Sequence, residues 1–174
     1  MAVVPAGHEA AMDFSDSLTA GPHGRLASLH GTWRGRSTLW FEPGEPHAVD
    51  AIELVTVPVA GGRSLRIETE TTGAESTSVG ELLLGYHLDE DAWQGVWSDS
   101  FHTGTSLMQF AGAEAWSPDA PIALHGSYAA GPGVRWGWHV TIQRDGEELV
   151  ILHENVEPDG QPVPALEWRC HRAV

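Results

Sequence analysis

The chain has 174 residues, a formal net charge of -15, and 24 acidic residues against nine arginines and no lysine. One domain with one core suits that length, and a surface this acidic repels phosphate backbones, which argues against a nucleic-acid partner. No apolar run reaches the ~18 residues of a membrane span, no basic-then-apolar leader opens the chain, and a lone cysteine, Cys170, excludes a disulfide framework, so a cytoplasmic protein that does not enter membranes is expected.

Residues 1–28 are Ala-rich and acidic and read as a partly flexible arm ending in a short helical turn around Arg25–Leu29. This arm is a candidate to lie over a pocket or to pair with a second copy as a homodimer. From residue 29 to 174 the pattern is that of one β domain. Short runs rich in Val, Ile, Thr and Trp alternate with Gly, Pro and Asp turn signals. About ten strands are predicted, over 31–41, 49–59, 63–72, 78–88, 91–100, 105–111, 121–129, 134–144, 147–156 and 163–172. No internal repeat is visible, which disfavours a propeller or solenoid.

The turns predict which face is inside. Gly61-Gly62 sets Ile52, Leu54 and Thr56 beside Leu65, Ile67 and Thr69. Asp89-Glu90 sets Leu82, Leu84 and Tyr86 beside Trp93 and Trp97, and Gly131-Pro132-Gly133 sets Tyr128 beside Trp136. A two-residue turn at Asp145-Gly146 pairs Ile142 with Leu149 and Trp138 with His153. The last strand then turns Leu166, Trp168, Cys170 and Arg172 to the His153 face. Each hairpin has one aromatic-rich face, and closing the sheet on itself buries that face and removes the edges. The predicted fold is all-β: an up-and-down antiparallel β-barrel of about ten strands, wide enough to hold a cavity.

Gly31-Thr32-Trp33, at the start of the first strand, resembles the Gly-x-Trp signature of the lipocalin and calycin group. The resemblance implies a calycin-like barrel closed by a basic residue packed across Trp33; Arg172 is the matching position and Arg169 a second candidate. A longer series also resembles a bacterial family, unknown-function domain fifteen-seventy-nine, over about residues 26–172. It comprises Trp33-Arg34-Gly35, Trp40-Phe41-x-Pro43-Gly44, Gly61-Gly62-Arg63, Gly85-Tyr86 and the run Trp97 to Gly104. That family implies a barrel and no reaction.

If the chain enters at the closed end, the open mouth collects Phe41, Thr71, Asp99, His102, Tyr128, Trp136 and Asn155, with Trp138 and His153 deeper. An apolar cavity with a few convergent polar groups describes a small-molecule site. The leading expectation is therefore binding of a small hydrophobic or aromatic molecule. Tyr86, Trp97, Tyr128, Trp136 and Trp138 would be its walls, and Asp99, His102, His153 and Asn155 its polar contacts.

His153 has two alternative readings: an axial ligand to haem iron, or a core imidazole bonded to Asn155, Tyr86 or water. Asp99 reads as an anchor or general base, or as the cap of the Phe101–Gly104 turn. With His153 as partner it would suit an isomerase or cyclase, although a binding protein is the simpler reading. Asp99-Ser100-x-His102 is not a hydrolytic triad, because in an extended segment Asp99 points away from Ser100 and His102, and no Gly-x-Ser-x-Gly elbow exists. Ten histidines show no metal-ligand spacing, so no metal site is predicted.

Overall fold

The computed structural model describes residues 12–74, 77–112 and 115–173. Two short helices, α1 (Phe14–Ala20) and α2 (Pro22–Ser28), precede ten strands. These are β1 (Gly31–Leu39), β2 (Ala48–Val59), β3 (Ser64–Thr72), β4 (Thr77–His87), β5 (Ala92–Asp99), β6 (Met108–Gly112), β7 (Ile122–Gly131), β8 (Val134–Asp145), β9 (Glu148–Val156) and β10 (Val163–Arg172). Each strand pairs antiparallel with the next, and β1 pairs with β10 to close the barrel. The expected all-β barrel is therefore present.

The N-terminal helical expectation is met and one turn position is corrected. The helical turn expected around Arg25–Leu29 is present within α2, and α1 precedes it: the Asp13 side chain accepts from the Asp16 N–H to start α1, and Pro22 opens α2, where its missing N–H costs no hydrogen bond. Residues 1–11 of the predicted arm lie outside the described residues. The β8–β9 turn falls one residue later than Asp145-Gly146: Asp145 pairs with Glu148, Ile142 with Ile151 and Trp138 with Asn155. Gly146, at φ 60°, takes the left-handed position that a primed hairpin turn needs. A one-residue shift of the turn slides each partner by two, so every side chain keeps its face.

The inward rows alternate as the pleat requires: Trp33, Gly35 and Ser37 on β1; Ile52 and Leu54 on β2; Trp93 and Trp97 on β5; Trp168 and Cys170 on β10. The lower end is sealed. Trp33 is fully buried, its Nε1–H donates to the Leu29 carbonyl at 2.9 Å, and the Thr56 hydroxyl donates to the same oxygen at 2.5 Å. Arg172 lies 4.4 Å and Arg144 5.2 Å from the Trp33 ring centroid, and Arg172 also donates to the His30 and Ser28 carbonyls. Leu26 and Leu29 join the barrel core from α2 and its C-terminal cap. These contacts tie the helical segment to the barrel floor.

Closure needs β1 and β10 to approach closely at Gly35. A Cβ there would sit 2.7 Å from the Cys170 Cα, against backbone that cannot yield. At Gly85 the nearest atom would be 3.5 Å away, an ordinary contact. Gly35→Ala should therefore lose more than about 2 kcal/mol of unfolding free energy, and Gly85→Ala under about 1 kcal/mol. Urea denaturation of the two variants checks this; equal losses would contradict the close approach.

Candidate functional site

The interior divides into two unequal halves. On the β5–β9 side, large side chains fill it: Phe110 is buried there, and the buried Trp97, Trp138 and His153 pack ring against ring. On the β1–β4 side, the inward positions near the mouth are small or polar, including Ser37, Asp50, Thr71 and Ser78. A cavity of about 570 Å³ opens there, lined also by His47, Asp99, Phe101, His102, Leu166 and Trp168. A larger depression, about 920 Å³, runs mainly along outward-facing residues such as Val55, Glu68 and Leu83 and lies largely outside the barrel wall.

Of the nine residues predicted to touch a ligand, only Asp99 and His102 line this cavity. Tyr86 lies at the sealed end, where its hydroxyl donates to the Asp91 carboxylate and accepts from the Trp116 N–H. Its burial and the Asp91 hydrogen bond push its pKa up to about 12. Tyr128 donates to the Asn155 side-chain oxygen at 2.7 Å, with Trp136 edge-on to it. Trp97 is stacked on Trp138 behind the cavity wall. Asp50, Ser37 and Trp168 also line the cavity; the sequence turns Trp168 inward without marking it as a ligand contact, and the alternation that places Ile52 inside also turns Asp50 inward.

Asp99 ends β5 and organises the turn that follows. One carboxylate oxygen accepts the backbone N–H groups of His102 and Thr103, and the other accepts the His102 Nδ1–H, all at 2.7 Å. The capping reading of Asp99 is the one these bonds describe, and Asp99 also lines the cavity. Burial raises its pKa, but the His102 ring and the two backbone donors outweigh it and hold the carboxyl below the usual range. His102 Nδ1 is committed to Asp99, which leaves Nε2 buried and free of any described partner.

His153 is 1 % exposed, and its Nδ1 accepts the Trp138 Nε1–H at 3.0 Å. That bond puts the ring proton on Nε2, which also meets no described partner. Burial, then the neighbouring His102, drive the His153 pKa down to about 3, with Asp99 opposing. Trp97 Nε1 and Trp168 Nε1 are likewise buried and unpartnered. His102, Trp97, His153 and Trp168 form one chain of ring contacts, with centroids 4.7–5.5 Å apart. Four unpartnered ring nitrogens therefore sit in one aromatic nest, which meets the cavity through His102 and Trp168.

Cys170 is buried, and burial and Glu148 push its thiol up to about 12, so it is no nucleophile at neutral pH. Among the described residues no three His, Cys, Asp or Glu side chains converge to hold a metal ion, and no helix is long and apolar enough to cross a membrane.

The family model described as "Protein of unknown function (DUF1579)" matches residues 19–172. A solved structure of the same barrel type, the crystal structure of Rv2717c from M. tuberculosis, aligns over 88% of this chain and 98% of that one, with a TM-score of 0.62 at 18% identity. At that identity the likeness concerns the fold. No curated protein matches the chain significantly.

The His153 pKa makes a pH prediction. The unfolded imidazole takes a proton near pH 6.5 and the folded one only near 3. The stability this imbalance supplies is complete above about pH 6.5 and falls by about 1.4 kcal/mol per pH unit as the pH drops toward about 3. His153→Gln keeps an acceptor for Trp138 and should flatten that part of the acid slope in urea melts taken from about pH 6.5 to 4.5. An unchanged slope would mean that His153 is not the buried neutral group described.

Proposed function

We propose, for a chain that belongs to the DUF1579 family of proteins of unknown function, that it binds a small, partly apolar molecule in the mouth of its barrel. The observation that carries this reading is the 570 Å³ cavity floored by an aromatic nest with unpartnered ring nitrogens. Buried polar atoms without partners are costly. A guest would lay its apolar body against Trp168, Leu166 and Phe101 and turn its polar groups to Ser37, Thr71 and Ser78. The wall residues differ from the sequence expectation: the guest would occupy the β1–β4 side, and Trp97, Trp138 and His153 would support the floor from behind.

The two other readings have less support. Haem ligation would need His153 Nε2 to face open space, but His153 does not line the cavity and packs against Trp97 and Trp168. These residues do not fit that group. Acid–base chemistry by Asp99 with His153 lacks the contact it requires, since Asp99 is bonded to His102.

Nile red, a neutral apolar dye, is the probe. Its emission should rise and shift to the blue with saturable 1:1 binding. Thr71→Trp, which fills the cavity from β3, should weaken binding at least about tenfold while far-ultraviolet circular dichroism stays unchanged. Binding that is not saturable, or that Thr71→Trp leaves intact, would place the site elsewhere.

A further inference from the structure

We propose that the mouth cavity selects an organic cation, an amine carried on an apolar or aromatic body; this rests on the cavity being a ligand site. One row of inward residues runs across adjacent strands at the mouth. Trp168 on β10 pairs with Ser37 on β1, and Ser37 pairs with Asp50 on β2. Asp50 in turn faces Gly73 just beyond β3, where a Cβ would lie 3.0 Å from both carboxylate oxygens. Gly73 thus leaves room for the Asp50 carboxylate inside the rim. All four residues line the cavity.

Two features make this row a cation site. Asp50 has no ion pair or hydrogen bond with a described side chain, although the chain carries nine arginines. None of those arginines lines the cavity. Ser37 is only 4 % exposed, lines the cavity, and its hydroxyl has no partner among the described side chains. An inward carboxylate, an uncommitted hydroxyl beside it and an indole next in the row are the partners an ammonium takes: a charge, a hydrogen-bond acceptor and a π face. A carboxylate guest would instead meet Asp50 and Asp99 with no guanidinium to neutralise it, and a desolvated like-charge contact disfavours it. The net charge of -15 draws cations toward the same mouth.

Three near-isosteric probes test the charge: tyramine, tyrosol and 4-hydroxyphenylacetate, which share a phenol and differ in carrying an ammonium, a hydroxyl or a carboxylate. Calorimetric titration of the full chain near neutral pH should rank tyramine first and 4-hydroxyphenylacetate last. Asp50→Asn should weaken tyramine about tenfold and leave tyrosol unchanged. Asp145→Asn, at the far end of the barrel, controls for net charge and should leave all three unchanged. If tyrosol binds as well as tyramine, or Asp145→Asn weakens tyramine as much as Asp50→Asn does, the cation inference is overturned while the ligand cavity stands. If none of the three binds while Nile red does, the cation inference falls and the ligand cavity stands; if Nile red fails as well, both readings fall.

Discussion

The pairing of β1 with β10 is the constraint on which everything else rests. A ten-strand meander left open would expose two sheet edges and a face of indoles to water. Closure buries both, and it depends on a glycine at position 35, where the two backbones come closest. The Leu29 carbonyl then acts as a hub, accepting from Trp33 on the first strand and Thr56 on the second. Arg172 completes the seam from the last strand by covering Trp33 and binding carbonyls of the entering chain. Strand closure and floor closure are thus one arrangement that shares the same few residues.

That arrangement also decides where space remains. A barrel of this girth has more interior than its apolar residues fill evenly, and the large rings are gathered on β5, β8 and β10. They stack on one another and leave the opposite side of the mouth to serine, threonine and aspartate. Asp99 stabilises the boundary between the halves. By accepting two backbone donors and the His102 ring, it orders the turn that carries Phe101 and His102 over the cavity, so the rim on that side is built by a hydrogen-bonded cap and not by a strand.

The fold was legible in the sequence because its determinants are local and periodic. Alternation of two and turn chemistry place nearly every inward side chain, and even the misplaced β8–β9 turn could not invert a face, because a one-residue shift preserves parity. The cavity was not legible by the same means. Its position depends on the sum of side-chain volumes around a ring of ten strands, whereas aromatic residues drew attention as candidate walls. In a closed barrel, indoles such as Trp97 and Trp138 fill space before they can bound it. The open side is marked by small residues: Ser37, Asp50 and Ser78 were in view and carried no signal until their neighbours were known. Asp99 with His102 illustrates a further limit, because only the folded turn swings two residues on opposite faces of an extended strand into contact.

The sealed floor has a kinetic meaning. The entering helices are fastened across the lower end, so among the described residues the cavity has its doorway at the top. Phe41 and Phe101 stand at that doorway, both more than half exposed, with their rings parallel to within 17° and 6.5 Å apart. If the cavity holds a guest as proposed, its rate of leaving would depend on how often these two rings part as well as on how well the chamber behind them fits it.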